Sequence, residues 1–297
     1  MARLDTELVR LGLARARGHA AELVANGRVL VDGHVARKAA QSVRDDTRLE
    51  LLPGPGPDYV GRGAHKLAGV LDELQAADPP GVPVDGLRCL DAGSSTGGFT
   101  QVLLERGARQ VLAVDVGHDQ LAASLREDPR VLDLSGTTVR GLTPSVIGGP
   151  VDLVVADLAF ISLSLVLVDL RCLVRPTGQL VLLVKPQFEV GRERLGSGGV
   201  VRDPRLRAEA VARVCTIGVS QGLGVRAVRA SRWPGPSGNV EYFVWFTALA
   251  PPDGAPGATQ GPPAGTIVPE GLVDAASTTD AALIESAVRV AVEEGPA

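Results

Sequence analysis

Between residues 87 and 184 the chain alternates two hydrophobic rhythms. Short apolar runs at 87–90, 111–115, 151–157 and 179–184 read as buried strands. The stretches at 99–107, 118–126 and 162–174 between them carry apolar residues at helical spacing. Such repetition predicts an α/β domain on a parallel, doubly wound, Rossmann-like sheet. A helix near 204–221 and strands near 225–230 and 240–247 complete it. Ahead of it, residues 4–52 read as a smaller α/β unit. Leu4, Leu8, Leu11 and Leu13 lie at near-helical spacing, a second helix near 17–26 stops at Gly27, and Val29-Leu30-Val31 meets the hairpin turn Asp32-Gly33. A strand near 48–52 then runs into Pro53-Gly54-Pro55-Gly56-Pro57, a linker by composition. Nine of the fifteen residues from 251 to 265 are Pro or Gly, and the segment near 280–294 puts Leu283, Ile284, Ala287, Val288 and Ala291 on one helical face. The expected division is 1–58 for the small unit and linker, 59–249 for the large domain, 250–270 for a second linker, and 271–297 for a helix and acidic tail.

The net charge of −4 conceals an asymmetry. Residues 1–66 carry 11 Lys or Arg against 8 Asp or Glu, whereas residues 250–297 carry 1 against 7. A locally basic part is the footprint of a nucleic-acid contact whatever the total charge. Of the 30 basic residues only Lys38, Lys66 and Lys185 are lysines. Where a solvated positive charge suffices, this chain uses Arg. The lysines therefore mark places for work Arg cannot do, above all losing a proton. Cys89, Cys172 and Cys215 are scattered and odd in number, which argues against a disulfide framework and a structural zinc site and suits the cytoplasm. No apolar run approaches the roughly 18 residues of a membrane span, so no membrane partner is expected.

Cys89-Leu90-Asp91-Ala92-Gly93-Ser94-Ser95-Thr96-Gly97-Gly98-Phe99 follows a strand and opens a helix. Glycines at a first strand-to-helix turn let the backbone approach a ligand. The G-x-G-x-x-G spacing of a dinucleotide site and the G-x-x-x-x-G-K-[ST] of a phosphate loop are both absent. What remains, D-x-G-x-x-x-G-G, resembles motif I of S-adenosylmethionine-dependent methyltransferases. That resemblance implies cofactor contacts from Asp91, Gly93, Ser94, Ser95, Thr96, Gly97, Gly98 and Phe99. Asp115 ends the next strand, where a carboxylate can bind two ribose hydroxyls.

Asp157 and Lys185 fall at strand C-termini, the edge where open α/β sheets do chemistry. Lys66 precedes the first expected helix of the domain, and Glu241 begins the last strand. The order K…D…K…E resembles the catalytic tetrad of ribose 2′-O-methyltransferases of the FtsJ/RrmJ type, and two of the three lysines fall on its lysine positions. A ribose hydroxyl must lose a proton as it attacks a methyl sulfonium, and Lys185 is the candidate to steer it and accept that proton. Burial and the second cation favour a neutral amine and the two carboxylates a charged one, so base and fixed cation both stand as roles. The [DN]-P-P-[YF] of amino-methylating enzymes is replaced by Asp157-Leu158-Ala159-Phe160. Neither Cys172 nor Cys215 suits a cytosine C5 nucleophile; both read as small core residues.

Arg3-Leu4-Asp5 through Val31-Asp32-Gly33 resembles an S4 RNA-binding domain. The blocks Tyr59–Leu67, Asp91–Thr100, Val184–Glu189 and Gly235–Tyr242 resemble the TlyA family, the so-called hemolysin A proteins. The resemblance implies 2′-O-methylation of cytidines in 16S and 23S ribosomal RNA, or 23S alone, within ribosomal subunits. Phosphate contacts would come from Arg10, Arg15, Arg17, Arg28, Arg37 and Lys38. Two other classes compete: a ribosome-assembly module with an inert methyltransferase domain, and a membrane-lytic protein. The intact tetrad argues against the first, and the lack of a span or a basic amphipathic helix against the second.

Overall fold

The computed structural model describes residues 2–14, 16–25, 27–44, 46–52, 58–77, 81–235, 237–249 and 279–296. Arg15, the linker at 53–57 and the linker at 250–270 lie outside the described residues. By its contacts the chain divides into two compact units, Met1–Asp58 and Tyr59–Ala297.

The first unit runs β1 (Ala2–Arg3), α1 (Leu4–Arg10), α2 (Arg17–Ala25), β2 (Val29–Val31), β3 (His34–Val35), β4 (Ser42–Val43) and β5 (Leu49–Leu51). β2 is the centre of an antiparallel sheet ordered β3-β2-β5, and β1 pairs with β4. The hairpin turns at Asp32 and Gly33, whose φ values are 49° and 78°. That is the mirror-image turn that matches strand twist. Leu4 and Leu8 of α1 and Ala20, Leu23 and Val24 of α2 bury against Val29 and Val43.

The second unit contains α3 (Gly63–Gln75), β6 (Arg88–Ala92), α4 (Gly98–Glu105), β7 (Gln110–Asp115), α5 (Ala123–Arg126), β8 (Val131–Ser135), β9 (Val151–Ala156), α6 (Leu167–Leu173), β10 (Val174–Val184), α7 (Pro186–Glu189), α8 (Pro204–Ser220), β11 (Leu223–Ala230), β12 (Tyr242–Ala248) and α9 (Ala281–Glu293). Its seven-stranded sheet has the order β11-β12-β10-β9-β6-β7-β8. Alternation along β10 explains the layers: Leu180, Leu182 and Val184 enter one core with α6, α8 and α9, while Val181 and Leu183 enter the other with α3 and α4.

Several expectations are corrected. The sheet is mixed: β12 is antiparallel to both β10 and β11. Among the described residues no helix crosses over between β11 and β12, and the returning strand reverses direction. Lys66 lies inside α3, which begins at Gly63. The helix expected at 118–126 shrinks to α5 because the backbone at Asp119 turns to φ 56°. On α9 the buried face is Ile284, Val288, Ala291 and Val292, and Leu283 is 60% exposed. Cys172 is only half-buried, whereas Cys89 and Cys215 are core residues.

Candidate functional site

Three adjacent strands bring the site together. Ala156 of β9 pairs with Leu182 of β10, and Val184 of β10 pairs with Tyr242 of β12. Asp157, Lys185 and Glu241, each one residue beyond those strands, therefore emerge at one edge of the sheet. α3 supplies Lys66 from above that edge. Lys185 Nζ lies 2.6 Å from Asp157 Oδ1, and Lys66 Nζ donates to Glu241 Oε2 at 2.6 Å. The two pairs differ in exposure. Lys66 and Glu241 side chains are 8% and 0% exposed, whereas Lys185 and Asp157 are 12% and 19% exposed. Glu241 Oε1 is buried with no hydrogen-bond partner.

Gly235 explains how the loop before β12 closes over this carboxylate: a Cβ there would stand 2.5 Å from Glu241 Oε1. Gly93, at φ 84°, does the same for the turn after β6, since a Cβ there would stand 2.7 Å from the Asp157 carbonyl oxygen. Glycine thus lets the turn after β6 lie directly beside Asp157, whose N–H donates to the Ala92 carbonyl at 3.0 Å.

The loop expected to hold a cofactor is the tight turn from β6 into α4, with Ser95 and Gly97 also at positive φ, 47° and 96°. Asp115 braces it from the end of β7, accepting from Ser95 N–H at 2.9 Å and from Gly117 N–H at 2.7 Å. Asp91 is fully buried below the loop and accepts from the Thr100 hydroxyl at 2.7 Å, leaving Oδ1 without a partner. Burial pushes its carboxyl up to about 7; the Thr100 hydrogen bond opposes this and the charge of Asp157 adds to it. Ser94 is buried, and Ser95 and Thr96 line the turn ahead of Gly97 and Gly98. Phe99 points inward, stacked on Phe243 at 6.2 Å between centroids. Burial pushes the thiols of Cys89 and Cys215 up to about 12 and raises that of Cys172, so none has the character of an activated nucleophile.

One feature of the site is absent from the sequence reading. Phe160, three residues after Asp157, is 93% exposed and held at φ 63°. A bulky residue in that conformation is strained, and strain of this kind collects at functional sites. Its ring lies 5.7 Å from that of Phe188, which in turn lies 6.0 Å from Lys185 Nζ. Only 3% of the chain is aromatic, yet these two rings stand beside the Lys185–Asp157 pair. The signal was an apolar ring in a polar-edged turn right after a strand-end Asp.

In the first unit, Arg37 and Lys38 are exposed. Arg10 pairs with Glu7 one turn away, and Arg17 lies 3.3 Å from Asp5. Arg28 is the least accessible: it donates to the Leu52 carbonyl at 3.1 Å and lies 3.5 Å from Asp58.

Comparison with known proteins agrees with this division. Residues 59–248 match the FtsJ-like methyltransferases, and residues 2–49 match the S4 domain. The chain is 55% identical over 245 residues to the 16S/23S rRNA (cytidine-2′-O)-methyltransferase TlyA of Mycobacterium tuberculosis, covering 82% of this chain and 89% of that one. It is 31% identical to hemolysin A of Brachyspira hyodysenteriae over 82% of this chain and 99% of the relative. Among solved structures, one named as a hemolysin from Streptococcus thermophilus superposes with a TM-score of 0.69 at 31% identity, over 98% of this chain and 96% of the other. Among the described residues no helix is long and apolar enough to cross a membrane. The chain belongs to the TlyA family, an S4 domain joined to an FtsJ-like methyltransferase.

Proposed function

We propose that this protein transfers a methyl group from S-adenosylmethionine to the 2′-hydroxyl of cytidines in ribosomal RNA, with assembled ribosomal subunits as substrate. The observation that carries the reading is the convergence of Lys66, Asp157, Lys185 and Glu241 as two 2.6 Å pairs beside the glycine turn. When bound, the cofactor supplies an electrophilic methyl on a sulfonium. The residues present fit it. Asp115 has acceptor lone pairs to spare for two ribose hydroxyls, the turn from Gly93 to Gly97 offers close backbone approach, and the buried Asp91 Oδ1 lacks a partner that a cofactor or an ordered water would provide. We assign the methionine end to Asp91 and the loop 93–98, with Phe99 supporting the loop from the core, and the ribose to Asp115.

In this reading Lys185 orients the target hydroxyl and accepts its proton as the oxygen attacks. Asp157 fixes the direction of the amine. Lys66 is a buried cation whose own charge is balanced by Glu241. The exposed ring of Phe160 gives the base of an extruded nucleotide a face on which to stack. The S4 unit supplies affinity, through phosphate contacts from Arg10, Arg15, Arg17, Arg28, Arg37 and Lys38, with Arg37 and Lys38 the most available. The test is nucleoside analysis of ribosomal subunits lacking the modification, after incubation with the protein and labelled methyl donor. The expected product is 2′-O-methylcytidine. Label on a base, or none on RNA, would contradict the assignment.

A further inference from the structure

We infer that Glu189 is a positioning residue for the proposed transfer: its buried carboxylate clamps the loop after Asp157 to the loop after Lys185. The inference rests on the methyltransferase reading above and deepens it. Glu189 ends α7, four residues beyond Lys185, and is 6% exposed. Its Oε1 accepts from the Leu163 N–H at 2.7 Å, and its Oε2 accepts from the Ser162 and Ser164 hydroxyls at 2.6 and 2.9 Å. These three donors come from consecutive residues of the segment that follows Asp157 and Phe160, and all are neutral.

Burying a carboxylate among neutral donors is costly, and apolar packing would hold two loops together more cheaply. What three charge-assisted bonds add is direction. The segment from Asp157 to Ser164 is fixed at both ends, by the Asp157 N–H to Ala92 carbonyl bond at 3.0 Å and by Glu189. Phe160 stands between these two anchors in its strained conformation. On the other side, the Phe188 N–H donates to the Lys185 carbonyl at 2.9 Å, so the turn bearing Glu189 is tied back to Lys185. One carboxylate therefore sets the relative placement of both members of the Lys185–Asp157 pair and of both rings of the Phe160–Phe188 pair. Displacing reacting groups by about 1 Å costs on the order of a hundredfold in rate.

The test is single-turnover methyl transfer to ribosomal subunits, at saturating RNA and cofactor and per folded molecule, for wild type, Glu189→Ala, Glu189→Gln and the double variant Ser162→Ala/Ser164→Ala. Glu189→Ala is expected to lose about 10- to 100-fold in rate while cofactor affinity stays within about twofold. Glu189→Gln keeps an acceptor for Leu163 N–H, and serine hydroxyls can turn to accept from its amide, so it should recover most of that rate. The double serine variant should lose about fivefold or more, and it carries the test if Glu189→Ala does not fold. Wild-type rates in any folded member of the alanine pair, with only the melting temperature lowered, would make the role structural and overturn the inference. A wild-type protein that methylates no subunit would instead overturn the functional reading, and the inference with it.

Discussion

The two lysine–carboxylate pairs have the same separation, 2.6 Å, and different surroundings. Lys66–Glu241 is sealed between α3, the end of β12 and the loop bearing Gly235. Lys185–Asp157 is the more exposed pair, at 12% and 19%, beside the exposed ring of Phe160 and next to the glycine turn. The more enclosed pair, whose carboxylate is fully buried, suits a fixed dipole. An open pair can exchange its internal contact for one to a substrate hydroxyl. Under the function proposed above, charge balance falls to the first pair and proton transfer to the second, although the residue types are the same.

The largest effect expected from this division is on turnover. Lys185→Arg preserves a cation but cannot accept a proton, and should cost two to four powers of ten in single-turnover rate with cofactor and subunit binding nearly unchanged. Asp157→Asn should fall between this variant and wild type. The second effect is on stability. Lys66→Ala leaves Glu241 buried without its cation, which costs about 3–5 kcal/mol. Asp157→Ala should cost less than this, because Asp157 is 19% exposed where Glu241 is fully buried, although it too leaves a largely buried lysine without its carboxylate. Chemical denaturation of the two variants separates them; equal costs would erase the distinction.

A third prediction tests the buried carboxylate beneath the glycine turn. Folding raises the Asp91 carboxyl from 3.8 to about 7 by burial. Its protonated form is the one the fold accommodates, so this group's contribution to stability is fully present below pH 3.8, is lost as pH rises toward 7, and is flat above. Asp91→Asn removes that dependence and keeps an acceptor for Thr100. It should gain stability over wild type at pH 8, by at most about 4 kcal/mol, and little at pH 4. A variant less stable than wild type at pH 8 would contradict it. The smallest effect belongs to the S4 unit. Lys38→Ala should weaken subunit binding a few-fold and lower the slope of log affinity against log salt by about one, with turnover at saturation unchanged.

Most of the candidate site could be located in the sequence because its titratable residues stand where hydrophobic runs stop. Asp115, Asp157 and Lys185 each stand at or one past the end of an apolar strand, and Glu241 one residue before another. Periodicity starts the helix after Lys66 because α3 opens on Gly63 without a side-chain cap to announce it. β8 escaped notice because Val131–Ser135 is an edge strand, partly exposed along its length, with no long apolar run. The direction of β12 depends on an irregular return loop, which periodicity does not describe. Glu189 could not be read at all. Its partners lie 25 to 27 residues earlier, and nothing local distinguishes a clamp from an ordinary helix-end carboxylate.

The central claim, that the open pair performs the proton transfer and the sealed pair does not, is tested most directly by single-turnover rates of Lys66→Arg and Lys185→Arg across pH, at saturating RNA and cofactor. A base that must first lose its proton gives a rate that climbs with pH. The account predicts that wild type and Lys66→Arg share this climb, with Lys66→Arg modestly slower, and that Lys185→Arg is slower by at least a hundredfold and flat. Near-wild-type rates for Lys185→Arg, or a climb lost in Lys66→Arg and kept in Lys185→Arg, would contradict it.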